Sequence, residues 1–243
     1  MKVSIDLHIH SALSPCGDND MTPNNIVNLC SLLGIDVIAL CDHNSIGNVD
    51  SAILASKDVT VTVIPGMELE TSEDVHFVCL FETQDAAKEF DRWLTPFKST
   101  VKNRSEIFGE QRYLNENDEL TGTEENLLVT ACSVSIYEVK EKIDSLPAVI
   151  IPAHVDRDSY SIISNLGFIP EDLQFTAVEI SKNVTKEEII EKYPYLARYN
   201  IICGSDAHYL ENFSEEPCVI EAEAPTAKAV IAALKNMPQH IAK

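Results

Sequence analysis

Seven short runs of β-branched and apolar residues recur along the chain: "KVSIDL", "IDVIAL", "VTVTVI", "HFVCLF", "AVIIP", "FTAVEI" and "NIICG". Most are continuously apolar, the pattern of strands covered on both faces in a parallel sheet. Stretches of helical period separate several of them. Thr22 and Pro23 supply an N-cap and a first helical residue, and Ile26, Leu29, Cys30 and Leu33 share one stripe, which Gly34 ends. Further helices are predicted over about 46–56, from near Thr185, and over about 227–236 behind Thr226. Between Phe81 and Pro147 the pattern becomes polar and helical, which predicts a helical insertion over about 83–146. Alternation of strand and helix predicts a parallel α/β sheet or barrel, one domain over residues 1–243.

The histidines follow the predicted strands. "DLHIH" puts His8 and His10 at i and i+2 of the first, hence on one face. Asp42 and His43 fall just past the second strand, Glu68 after the third, His154 after the fifth, and Asp206 and His208 after the seventh. The C-terminal ends of strands are where parallel α/β proteins gather functional groups. His76, at the start of the fourth strand, and His240, near the end of the chain, fall outside this pattern. Neutral imidazoles beside carboxylates suit a divalent metal of intermediate softness. Hydrogen-bonded structural histidines are the competing reading of any one of them, and Asp206 alone reads equally well as a turn residue.

Composition narrows the classes. Hydrophobic residues make up 45% of the 243 residues, enough for a sizeable core. No apolar run approaches the roughly 20 residues of a membrane span. The chain starts on a strand-like segment without a basic-then-apolar leader, and its seven cysteines form no CxxC pair. Both features predict a cytoplasmic protein with reduced thiols, and the second excludes a four-cysteine zinc module. A net charge of -21 without a Lys/Arg cluster predicts that duplex nucleic acid is not a partner.

The series "DLHIH", "DHN", "PGMELE", "AHVDR" and "GSDAH" resembles, in order and spacing, the polymerase-and-histidinol-phosphatase (PHP) family, in particular its small stand-alone metal-dependent phosphoesterases. The resemblance spans essentially the whole chain. It implies a distorted seven-stranded (β/α) barrel with a trinuclear metal centre at the C-terminal face of the strands. By the same resemblance His8, His10, Glu68 and Asp206 hold one metal, while Glu68, His76 and His154 hold a second. The third takes His43, His208 and a ligand from the loop "SALSPCGDNDMTP", where the sequence departs from the family pattern. Counting from His10 aligns Cys16, and counting back from "MTP" aligns Asp18. Asp18 is preferred, because oxygen ligands suit a hydrolytic site holding Mn²⁺ or Fe, whereas Cys16 would bias it to Zn²⁺. Asp6 and Asp42 read as acceptors that orient imidazoles, or as plain turn and strand-end residues.

The expected cofactors are two to three divalent ions, Zn, Mn or Fe, and the expected reaction is hydrolysis of a phosphate ester by a metal-activated hydroxide. Glu68, Asp206 and His208 are the expected catalytic groups. Arg157, three residues past His154, is placed to clamp a phosphate oxygen, with Lys182 in "EISKN" the weaker candidate; Glu179 reads as structural. The expected substrate is a phosphorylated small molecule, nucleotide or short oligonucleotide. An amidohydrolase also begins with HxH on a barrel strand, but resembles this chain less because it has no equivalent of the Asp42–His43 pair. A non-catalytic metal-bound module is the rival from another class.

Overall fold

The computed structural model describes residues 1–213 and 216–236, so His240 lies outside the described residues. Strands β1 (Lys2–Ile9), β2 (Val37–Leu40) and β3 (Thr62–Glu70) run parallel, joined by α1 (Pro23–Leu32) and α2 (Val49–Ala55). Thr22 caps α1 by accepting from the Asn25 N–H, with Pro23 at the start of the first turn. Strand β4 (His76–Phe81) returns antiparallel to β3. Then come α3 (Gln84–Leu94), α4 (Ser105–Phe108), an antiparallel hairpin of β5 (Arg112–Leu114) and β6 (Leu120–Thr123), and α5 (Ile136–Asp144). Strand β7 (Ala148–Pro152) pairs antiparallel with β4 and therefore runs in the direction of β1–β3. After α6 (Ile162–Leu166), β8 (Ala177–Ser181) and β9 (Asn200–Gly204) form a parallel pair around α7 (Lys186–Lys192). Strand β10 (Cys218–Glu221) lies antiparallel to β1, and α8 (Ala227–Lys235) follows.

The ladder-paired sheet therefore has six strands, in the order β10–β1–β2–β3–β4–β7, and is mixed rather than all-parallel. The pair β8–β9 is a separate sheet, with β8 beside β7 and β9 beside β1. The insertion is also not purely helical, since 112–123 forms the β5–β6 hairpin. Its turn is built on Asn115, whose side-chain oxygen accepts from the Asn117 and Glu119 N–H groups.

Alternation along the strands divides the core. Val3, Ile5, Leu7, Ile64, Val78, Leu80, Val149 and Ile151 form an inner cluster, plugged by Val230, Ile231 and Leu234 of α8. Phe77, Cys79 and Phe81 point the other way, onto Phe90 and Leu94 of α3 and Val139 and Ile143 of α5. Leu7 belongs to the inner cluster and Ile9 to an outer one with Ile26, Val27 and Cys30 of α1. Two residues of equal parity on opposite sides mean that the alternation reverses between them, where the β1–β2 register also shifts. This irregularity puts His8 and His10 on the inner side, and Glu68 shares that side with Ile64. Going up the strands, the inner face passes from aliphatic to ionisable.

Candidate metal centre

Antiparallel β4 explains the one described histidine that broke the pattern. Its N-terminal His76 pairs with Glu70 at the C-terminal end of β3, so the start of β4 and the end of β3 share one rim. His154 follows β7 at the same rim, and Asp206 and His208 follow β9. Glu68 lies within β3 itself rather than after it. Several of these backbones are strained: Asn44 (φ 50°), His154 (φ 31°), Tyr160 (φ 55°) and Asp206 (φ 49°) are non-glycine residues in the left-handed region.

Five imidazoles converge on the Glu68 carboxylate. Oε1 lies 2.8 Å from His76 Nδ1, 3.2 Å from His154 Nε2 and 3.3 Å from His8 Nε2. Oε2 lies 3.0 Å from His43 Nδ1 and 3.3 Å from His10 Nε2. Neither neighbour of Oε2 is aligned for a hydrogen bond, so this buried oxygen accepts none; His154 Nδ1 and His76 Nε2 are likewise buried without one. Asp206 Oδ1 adds contacts at 3.1 Å to His10 Nε2 and 3.5 Å to His8 Nε2.

Outer contacts fix how these rings present themselves. Glu179 Oε1 lies 2.9 Å from His8 Nδ1 and also accepts from the His154 N–H at 3.2 Å. A carboxylate can only accept, so His8 Nδ1 carries the hydrogen and Nε2 of the neutral ring is a lone pair. Ser14 gives its one hydroxyl hydrogen to Asp42 Oδ1 at 2.7 Å, so it accepts from His10 Nδ1 at 2.9 Å. His208 Nδ1 donates to the Asp206 carbonyl at 2.8 Å. The Nε2 atoms of His8 and His10 thus face each other 3.2 Å apart, both acceptors in the neutral rings, beside two carboxylates. Such a donor set is satisfied only by a shared cation, which is the requirement a divalent metal meets. Three groups have ligand atoms within 4.8 Å of one another: His8, His10, Glu68 and Asp206; His43, Glu68 and His76; and His10, His43 and His208.

Protons supply the cation in the metal-free chain. Burial pushes His10 and His76 down, but carboxylates outweigh it, Asp206 and Glu68 for His10 and chiefly Glu68 for His76, and both rise to about 9. Burial pushes the Glu68 carboxyl up, yet His76, His8 and His43 hold it well below the usual carboxylate range. Burial and the charge on His10 push His208 down to about 3.

The remaining candidates separate clearly. Arg157 Nη2 pairs with Asp206 Oδ2 at 2.7 Å and is 40% exposed, at the mouth of the cluster. Lys182 is directed away, its Nζ donating to the Asn212 carbonyl. The Asp18 carboxylate accepts from the Asp20 N–H within its own loop, whereas Cys16 Sγ lies 3.1 Å from His208 Nε2. Asp42 acts on His10 through Ser14 and holds Ser11 at 2.6–2.7 Å. Asp6 accepts from the Ser205 N–H, and burial raises its carboxyl to about 6. Sequence reasoning passed over the orienting role of Glu179, although an acid inside the apolar run "FTAVEI" was its signal. It also passed over Tyr160, half exposed and stacked on His76 at 4.8 Å, which carried no signal in the sequence.

The PHP domain pattern matches residues 6–236. The chain belongs to the PHP family. A 5′-3′ exoribonuclease of Haemophilus influenzae is 36% identical to this PHP protein over 83 residues, 33% of this chain and 29% of the relative. The lesion-specific endonuclease Q of Pyrococcus furiosus shares its fold, with TM-score 0.68, 18% identity, and coverage of 97% of this chain and 56% of that one. A second endonuclease Q structure, with TM-score 0.64 and 17% identity over 97% of this chain and 57% of that one, is a complex with a 27-mer duplex bearing an abasic lesion at the active site. The chain spans less than two thirds of the length of each of these relatives.

These neighbours overturn the expectation of a small phosphorylated substrate with duplex nucleic acid excluded. Net charge is a weak guide to such a partner for a physical reason: -21 is summed over the whole surface, whereas a phosphate meets only the local potential of the pocket it enters. No helix among the described residues is long and apolar enough to cross a membrane.

Proposed function

We propose that this PHP protein is a metal-dependent hydrolase that cleaves phosphodiester bonds of nucleic acid. The convergence of five imidazoles on Glu68, with one carboxylate oxygen buried and unbonded, carries the reading. In it, His8, His10, Glu68 and Asp206 hold one ion, Glu68, His76 and His154 a second, and His43 and His208 belong to a third. Zn, Mn or Fe ions in these places supply Lewis acidity toward water and toward a phosphoryl oxygen. Glu179 and Ser14 keep the Nε2 lone pairs of His8 and His10 turned inward. Glu68 and Asp206 would supply the negative charge that holds such ions among the imidazoles. Arg157 exchanges Asp206 for a non-bridging phosphate oxygen at the open side of the site. The relatives with nuclease names support nucleic acid as the substrate class. The accompanying reading of the fold is a barrel of β1, β2, β3, β4, β7, β8 and β9, with 83–146 inserted.

The test uses protein reconstituted with Mn²⁺ or Zn²⁺ and a panel of 5′-phosphorylated RNA and DNA oligonucleotides: single-stranded, duplex, and duplex with an abasic position. Cleavage that requires metal and is lost with EDTA and in Glu68→Gln is expected. Full metal content without cleavage of any strand would overturn the nuclease reading.

A further inference from the structure

We infer that Cys16 is a thiolate ligand, completing with His43 and His208 a metal position of mixed nitrogen and sulfur donors at the mouth of the centre. The inference rests on the metal-centre reading above and adds which residue of the first loop takes part. His10, His43 and His208 present nitrogens within 4.8 Å of one another, and His208 has its Nδ1 spent on the Asp206 carbonyl, so Nε2 is its ligand atom. Cys16 Sγ lies 3.1 Å from that atom. Zinc bonds of about 2.05 Å to nitrogen and 2.3 Å to sulfur, at a tetrahedral angle, put the two donors about 3.5 Å apart. The loop need open only by a few tenths of an ångström.

Backbone geometry holds the thiol there. The Ser14 N–H donates to the Ser11 carbonyl at 3.0 Å and the Gly17 N–H to the Ser14 carbonyl at 2.9 Å, coiling the loop tightly over residues 11–17. A Cβ at Gly17 would meet the Ser11 carbonyl oxygen at 2.8 Å, so only glycine closes this turn. The Asp18 N–H then donates to the His208 carbonyl at 2.8 Å, tying the loop to the residue that its thiol touches. The Asp18 carboxylate meanwhile accepts from the Asp20 N–H at 2.8 Å. On metal binding the thiol releases its proton to solvent. A thiolate selects zinc over manganese at this position, giving a centre whose ions differ in kind.

Cobalt reports this directly, because a thiolate bound to Co²⁺ gives an intense charge-transfer band in the near ultraviolet. Protein stripped of metal is titrated with Co²⁺ as wild type, Cys16→Ser, Asp18→Ala and Cys218→Ser, with elemental analysis of each. The band is expected in wild type, Asp18→Ala and Cys218→Ser, and lost in Cys16→Ser together with about one bound ion. Iodoacetamide is expected to alkylate the exposed Cys16 in the stripped chain and to be blocked after metal is restored. Alkylation needs no variant to fold. Cobalt bound at full stoichiometry without the band, or loss of one ion in Asp18→Ala alone, would overturn the role of Cys16 and leave the metal centre standing. No binding of cobalt at all would instead overturn the metal-centre reading itself.

Discussion

Glu179→Gln isolates the part played by a residue that touches no ion. The side chain is fully buried, and its Oε1 serves both the His8 ring and the His154 N–H. Glutamine keeps the shape and can keep that acceptor, so the fold and ring orientation are preserved while the charge is lost. The carboxylate makes His8 more basic and locks its Nε2 lone pair inward. Losing such a partner behind a ligating histidine costs about 10–100-fold in metal affinity, equivalent to about 1.4–2.7 kcal/mol. The independent range for a hydrogen bond to a charged group, about 1.5–3 kcal/mol, agrees. Competition against a chromophoric chelator measures the affinity of the first ion, and activity is then assayed at saturating metal. Affinity reduced by 10–100-fold, with turnover largely restored at high metal, is expected. Unchanged affinity would show that Glu179 does not act on His8, and the tautomer reasoning would fall with it.

Three further outcomes follow from the same geometry. Arg157→Ala should leave metal content intact and lower kcat/KM about 10–100-fold, chiefly through KM, as for a lost charge-assisted contact; loss of metal would make Arg157 a prop for Asp206 instead. In the metal-free chain His10 and His76 stand at about 9, so both are protonated at pH 7 and a metal must displace those protons. Affinity should therefore rise as pH increases from 6 toward 9, with roughly two protons or more released per chain at pH 7 in calorimetry across buffers of different ionisation enthalpy, since against burial Glu179, Glu68 and Asp206 hold His8 above its ordinary value as well; pH-independent affinity would refute it. At Gly66, two residues before Glu68, a Cβ would meet Cys41 Sγ at 2.5 Å and the Leu40 carbonyl oxygen at 2.8 Å. Gly66→Ala should lower stability by about 1–3 kcal/mol in urea titration and reduce metal content, and a neutral effect would show that β3 has slack.

The positions that gather at the candidate centre were legible because their signals are local. An HxH pair on a strand, an Asp–His step after one and histidines at strand ends each need only a few residues to recognise. Strand direction is not local. The run "HFVCLF" reads the same whether its strand runs parallel or antiparallel, so His76 seemed misplaced until β4 proved to run against β3. The β5–β6 hairpin was missed because the polar segment "RYLNENDELTGT" has no apolar alternation, although its Asn and Asp cluster is turn chemistry. Cys16 and Asp18 could not be separated by counting. Their side chains are aimed by the Ser11–Gly17 coil, which depends on backbone hydrogen bonds and one glycine contact rather than on spacing. Net charge was the weakest guide, because it averages over a whole surface while a substrate meets the potential of one pocket.

Glu68 is the residue on which the proposed centre turns, so metal content of wild type and Glu68→Gln, taken by elemental analysis after identical reconstitution, tests it most directly. About two to three ions per chain are expected in wild type, with at least one lost in Glu68→Gln and strand cleavage abolished. Wild type that retains no ion after reconstitution with Mn²⁺ or Zn²⁺, or a Glu68→Gln protein that keeps both its full metal content and its activity, would contradict the account.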